Sequence, residues 1–123
     1  MTHPDTTFFV SAIQPGSPQE AQLNAWFFAQ ESLGISSVAW AEFFCGLLSA
    51  REESIDRHMF TTVEVLSASD AELAASLFNK TVRRSKTLAD YMIAAVAIRC
   101  GATLATVNKG DFQPFVQNGL VIA

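Results

Sequence analysis

A chain of 123 residues, half of them apolar and 16% charged, is long enough for one domain with a proper core and too apolar for intrinsic disorder. Its net charge of −4 excludes broad electrostatic attraction to nucleic acid, though not local attraction, and no stretch reaches the length of a membrane span. Met1 to Asp5 lack the basic-then-apolar order of a signal peptide. The expectation is therefore a cytoplasmic protein, residues 1–123 forming a single domain, with no membrane partner.

In chain order, Asp5 precedes Thr6-Thr7-Phe8-Phe9-Val10 and suits the N-cap of a first helix. Gln14-Pro15-Gly16-Ser17-Pro18 is the strongest turn. Ser17 then reads as an N-cap, with Pro18 at the first helical position and Glu20 closing a capping box ahead of Ala21 to Phe28. Trp26, Phe27 and Phe28 are consecutive, and successive helical residues point about 100° apart, so the three cannot share one core. That apolar excess predicts a homodimer.

Gly34-Ile35-Ser36 is a short strand leading into a helix from Ser37 to about Ser49. Within it Glu42 is the one charged residue between Val38 and Leu48, set among Trp40, Phe43, Phe44, Cys45 and Leu47. A carboxylate buried there calls for a cationic partner, a metal ion or protonation. Arg51 to His58 reads as an exposed helical turn or loop, and Phe60 to Val65 alternates like a strand. Ser69 with Glu72 has the spacing of a capping box, opening a helix that runs to about Arg84. Arg83, Arg84 and Lys86 gather positive charge just beyond it, as Lys109 does later, either as a solvated face or as a nucleic-acid contact.

Thr87-x-x-Asp90 repeats the capping-box spacing, so capping alone would explain Asp90. From Tyr91 to Ile98 eight apolar residues leave no polar face, which requires a buried helix. Thr103 to Thr106 reads as a buried strand ending in a polar turn, so Asn108 and Asp111 emerge at its carboxyl end, the edge where open α/β sheets bind ligands. Asp111 would alternatively cap the turn from Phe112 to Val116, with Asn108 a plain turn residue. Leu120 to Ile122 completes the pattern of strands alternating with helices, which predicts a parallel sheet sandwiched between helices.

Little chemistry other than that of carboxylates is available. His3 lies near the terminus and His58 in a charged stretch, which disfavours a two-histidine ribonuclease or a zinc site. Cys45 and Cys100 stand 55 positions apart in apolar helical patterns and read as reduced core thiols. No Gly-rich phosphate loop or G-x-S-x-G occurs. Lone acids at Asp5, Glu42, Asp90 and Asp111, without His or Cys, suit Mg²⁺ or Mn²⁺.

The order of motifs resembles the PIN-domain family and, within it, the VapC-type toxin ribonucleases. The matching residues are Asp5-Thr6, Ala41-Glu42-Phe43, Ala89-Asp90-x-x-Ile93-Ala94-Ala95, and Gly101-Ala102-Thr103-Leu104-Ala105-Thr106-x-Asn108-x-x-Asp111-Phe112. The last two together are fairly specific, and the resemblance spans essentially the whole chain. It implies an α/β fold, a PIN-like three-layer sandwich whose central, mainly parallel sheet is flanked by helices. It also implies a metal-dependent endoribonuclease, the toxin of a type II toxin-antitoxin system, with a cognate antitoxin as partner and RNA as substrate. Asp5, Glu42, Asp90 and Asp111 would surround one or two Mg²⁺ or Mn²⁺ ions. Thr6 and Thr106 match supporting hydroxyls, Asn108 matches a position that is acidic or amide in relatives, and Arg83, Arg84, Lys86 and Lys109 would face RNA.

The chain departs from the family at its start. Relatives open with a longer apolar strand, whereas Pro4 cannot donate a ladder hydrogen bond and is unsuited to a central strand. The expectation is a weak first strand or a start further upstream, which keeps open a catalytically impaired PIN-like module acting through protein or RNA partners. A phospho-acceptor receiver domain ranks behind both, because Phe60 to Val65 supplies no acceptor aspartate.

Overall fold

The protein is described from a computed structural model covering residues 1–46, 52, 54, 58–81 and 87–123. The elements are β1 (Thr2–Pro4), α1 (Thr6–Ala12), α2 (Pro18–Phe28), β2 (Gly34–Ser36), α3 (Ser37–Phe44), β3 (Thr62–Glu64), α4 (Ala68–Lys80), α5 (Leu88–Cys100), β4 (Thr103–Ala105) and α6 (Lys109–Phe112). A 3-10 turn, Gln113–Asn118, and β5 (Val121–Ile122) follow. All strand pairs are parallel, in the orders β1-β4-β5 and β2-β3. A parallel bridge from Thr2 to Leu33, with the Thr2 N–H donating to Ser32 O at 2.9 Å, joins the two groups into the order β3-β2-β1-β4-β5. The chain winds outward from β1 through β2 and β3, then crosses back to β4 and β5. The carboxyl ends of β1 and β4 therefore flank the switch point of a doubly wound sheet.

Helices cover both faces. One apolar cluster joins Ile35, Ala39, Leu77, Tyr91, Ile93, Leu104 and Phe115, and a second joins Phe8, Phe9, Leu23, Phe43 and Ala105. Leu104 and Ala105 are neighbours on β4 yet belong to different clusters, as the alternation of a strand with two covered faces requires. Helix α5 lies within the first cluster, with Tyr91 and Ile93 to Ala97 all buried, as its lack of a polar face demands. Among the described residues no helix is long and apolar enough to cross a membrane.

The first strand corrects the objection to Pro4. Residues Thr2–Pro4 are all buried in a central strand. Thr2 donates toward Ser32 on the β2 side and Asp5 donates to Ala105 O on the β4 side, so by alternation the Pro4 nitrogen faces β2. Among the described residues the pairing on that side is the single bridge from Thr2 to Leu33, so the continuous ladder that holds Pro4 in place is the one with β4. His3, set aside as a terminal residue, is 1% exposed in the same strand. Gly34 makes room for it, since a Cβ at Gly34 would sit 2.8 Å from His3 Nε2 and 2.9 Å from Thr62 Oγ1.

Other boundaries shift. Helix α4 is capped by Ser67, whose Oγ accepts from the Asp70 N–H at 3.1 Å while Asp70 accepts from the Ser67 N–H at 3.0 Å, so the box lies two residues before Ser69 and Glu72. The helix ends at Lys80 rather than near Arg84. Helix α3 ends at Phe44, and the expected extension to Ser49 runs outside the described residues, as does most of Arg51 to His58. Cys45 is exposed and Cys100 half-buried, both free, so Cys45 is not the core thiol its apolar setting suggested.

Candidate active site

Asp5 leaves the carboxyl end of β1 and caps α1, a position where a short acceptor side chain satisfies an otherwise unpaired N–H. Its Oδ1 accepts from the Phe8 N–H at 2.8 Å and from Thr7 Oγ1 at 3.0 Å, and the Thr106 hydroxyl also donates to it. The carboxyl is 3% exposed. Burial raises its pKa above the ordinary aspartate value, and the negative charge of Asp90 adds to the rise, against the opposing hydrogen bonds from Thr106, Phe8 and Thr7. Among the described residues, which leave out Arg83, Arg84 and Lys86, no cationic side chain offsets that charge.

Asp90 is half-buried in the first turn of α5. Its Oδ2 accepts from the Thr87 N–H at 3.1 Å and Thr87 Oγ1 at 3.2 Å, so it does close a capping box. Its Oδ1 has no hydrogen bond among the described residues. Capping and service at the site are thus compatible, one oxygen for each.

Glu42 corrects the expectation of burial. It is exposed on α3, and Thr6 Oγ1 donates to its Oε1 at 2.7 Å. The eight-residue helix turns Ala39 and Phe43 inward and Glu42 outward. Its aromatic neighbours in sequence are therefore on other faces. Thr6 follows Asp5 directly, so the hydrogen bond ties α3 to the beginning of α1.

Thr106 lies just past β4 and is 3% exposed. Besides donating to Asp5, its Oγ1 accepts from the Asn108 N–H at 3.0 Å, linking the turn after β4 to the buried acid. Asn108 occupies the N-cap position of α6 without a side-chain cap bond, so Asp111 is a first-turn residue and not the cap. Asn108, Lys109 and Asp111 are exposed. Arg83, Arg84 and Lys86 lie outside the described residues.

The structure thus brings together Asp5 with Asp90, Asp5 with Thr106 and Asn108, and Thr6 with Glu42. Among the described residues no three His, Cys, Asp or Glu side chains come close enough to hold a metal ion as a group. The chemistry of the central pair still fits a hard divalent cation, because a buried carboxyl whose charging is disfavoured by burial and by a neighbouring acid at the switch point is relieved by positive charge beside it. Thr7 went unremarked in the sequence, although a hydroxyl two residues after a capping aspartate is the spacing at which such a contact forms.

Comparison with known proteins agrees with this geometry. The chain superposes on the FitAcB crystal structure from Neisseria gonorrhoeae with a TM-score of 0.75 and 23% identity, covering 100% of this chain and 97% of that one. VapBC2 from Rickettsia felis, bound to a DNA fragment from its promoter, gives 0.73 and 23%, covering 99% and 96%. VapC20 from Mycobacterium tuberculosis, described as a toxin cleaving the sarcin-ricin loop, gives 0.73 and 16%, covering 100% and 98%. No curated protein matches the chain by sequence. At such identities these likenesses show the fold. The PIN domain family model matches residues 3–114, from the strand before Asp5 to just beyond Asp111, and the chain belongs to the PIN domain family.

Proposed function

We propose that the protein is the ribonuclease toxin of a toxin–antitoxin pair, hydrolysing RNA phosphodiesters with Mg²⁺ or Mn²⁺. The observation that carries this reading is the buried Asp5 carboxyl, raised in pKa and set against Asp90 at the sheet's switch point. A structural aspartate in that place would be matched by a cation, and among the described residues none pairs with it. Asp5 and Asp90 would hold the ion, with Glu42 and Asp111 completing the acidic set. The bound ion supplies an activated water and charge neutralisation at the phosphate.

The chain's own groups supply the rest. The Phe8 N–H, Thr7 and Thr106 hold the Asp5 carboxyl in one orientation. Thr87 holds Asp90 by one oxygen, and Thr6 holds Glu42. Lys109, at the start of α6 beside Asp111, would draw the RNA backbone, with Arg83, Arg84 and Lys86 as further contacts. Support for an antitoxin partner comes from a structural neighbour described as a toxin-antitoxin complex from Klebsiella pneumoniae. Phe27 and Phe28, 58% and 82% exposed on α2, favour association with another chain, including the homodimer, in the cytoplasm.

The exposed position of Asp111 and the absence of a three-acid cluster among the described residues favour a second reading, a PIN-like module that binds partners without cleaving. Incubating the purified chain with RNA and Mn²⁺ or Mg²⁺ separates the two. Cleavage that stops on chelation and in Asp5→Asn, Asp90→Asn, Glu42→Gln and Asp111→Asn supports the nuclease. Asn108→Ala serves as the comparison for Asp111→Asn. Cleavage retained in both Asp90→Asn and Glu42→Gln sinks the nuclease assignment, and no cleavage at all leaves the binding module.

A further inference from the structure

A cavity of about 310 Å³ lies between the end of α4 and the 3-10 turn. Leu77 and Phe115 form its buried floor, Pro114 a wall, and the exposed Lys80, Gln117 and Asn118 its rim. Phe115 packs against Tyr91 at 5.1 Å between ring centroids and against Phe112 at 5.9 Å. Tyr91 directly follows Asp90, and Phe112 directly follows Asp111. The floor of the cavity therefore touches both elements that carry the candidate acids.

We propose that this cavity is a base-recognition subsite, taking one unstacked nucleobase of the RNA next to the cleaved phosphodiester. This rests on the ribonuclease reading for its choice of ligand. The volume lies at the low end of small-molecule sites, roughly 300–1,000 Å³, which suits a single ring system better than a peptide segment or a whole oligonucleotide. An apolar floor receives the flat face of a base. The amides of Gln117 and Asn118 each offer a donor and an acceptor, the pairing that reads a base edge, and neither makes a hydrogen bond among the described residues. Lys80 stands where it would meet a flanking phosphate. The Thr81 hydroxyl is already committed to Leu77 O at 2.8 Å, so discrimination falls to the two amides. Sequence-specific RNA recognition works on unstacked bases of this kind.

The full chain, ¹⁵N-labelled and in the presence of chelator, is titrated with AMP, GMP, CMP and UMP, with ribose 5-phosphate as control. One nucleotide is expected to bind about tenfold or more tightly than the weakest, shifting the amides of Thr81, Phe115, Gln117 and Asn118. Gln117→Ala and Asn118→Ala, both at exposed positions, should each erase most of that preference while leaving the remaining spectrum unchanged. The proposal is overturned if ribose 5-phosphate shifts the same amides as strongly. It is equally overturned if no nucleotide shifts them, or if the shifts follow chain concentration instead and report a second copy filling the cavity. Because binding is read without metal or cleavage, base preference in an inactive chain would sink the nuclease reading alone, and cleavage without base preference would sink this subsite alone.

Discussion

Helix α5 ends in two acidic environments of opposite character. In its first turn Asp90 adds its negative charge to the field on the buried Asp5, and among the described residues no cation answers either carboxylate. In its last turn, nine positions and about 13.5 Å away, Arg99 Nε donates to both oxygens of Asp70 at 2.9 and 3.0 Å, and its Nη2 donates to Val65 O at 3.1 Å. Burial alone would raise Asp70, but the Arg99 hydrogen bonds and the Ser67 donors outweigh it and hold the pKa below the ordinary value. Both aspartates are almost wholly inaccessible, at 3% and 2% exposure, but Asp5 lies deeper beneath the surface and burial weighs more on it. The partner adds to that difference. An acid matched by a guanidinium fastens α4 to α5, whereas an acid with no cation among the described residues stores unfavourable charge that a cation would relieve.

The largest expected effect sets the two ends apart by activity. Asp90→Asn should abolish metal-dependent cleavage with the fold intact, since Asn still accepts from Thr87. Arg99→Met should lower the melting temperature yet leave cleavage per folded molecule unchanged. Equal loss of cleavage in both would show that the ends of α5 are not functionally distinct.

Metal binding sharpens the contrast as a stability measurement. Mn²⁺ at a hundredfold its Kd should stabilise the protein by about 2.7 kcal/mol in calorimetry. The effect should vanish in Asp5→Asn and persist in Asp70→Asn, after allowance for the lower starting stability of the latter. Persistence in Asp5→Asn would move the ion elsewhere.

Gly34→Ala tests the strand that presents Asp5. The added methyl meets His3 and Thr62 below 3.0 Å and should cost about 1–3 kcal/mol by chemical denaturation. His3→Ala should recover part of that loss in the double variant, because it removes the closest obstacle. No recovery would place the strain at Thr62.

The smallest effects are in pH dependence, where the two aspartates differ in sign. Asp5 has a raised pKa, so its penalty is present at neutral pH and fades as pH falls through that raised value, where the folded state takes up the proton first. Asp5→Asn should therefore exceed the apo wild type in stability at neutral pH, with the margin shrinking on acidification. Asp70 has a lowered pKa, so its contribution is complete above the ordinary aspartate value and is lost below it as pH falls through the folded value. Asp70→Asn should be the less stable chain at neutral pH and converge with wild type only in stronger acid. Melting curves across this range that move in parallel would break the distinction.

Local signals were legible wherever a few neighbouring residues decide the outcome. Ser17 with Pro18 caps α2, although Glu20 accepts from the Gly16 N–H and does not close the expected box on Ser17, Thr87 with Asp90 caps α5, and the apolar run from Tyr91 is buried. Capping was misplaced where two serines compete, and Ser67 prevails over Ser69 because Asp70 answers it from the third helical position. Glu42 was misjudged because a short helix in an apolar stretch can still turn one position outward. The number of apolar neighbours in sequence does not reveal that direction.

The sequence by itself determined the alternation of strands and helices, the acids at their ends and the likeness to the PIN family, because hydrophobic period, capping spacing and motif order are properties of adjacent residues. Only the tertiary structure decided that Pro4 fits a central strand, that Thr6 reaches Glu42 across 36 positions, and that Asp70 has an arginine while Asp5 has none among the described residues. Those outcomes depend on which neighbouring strand the Pro4 nitrogen faces and on which helix ends meet. Such distances are set by the packing of the whole sheet between its helices, and no local stretch of chain encodes them.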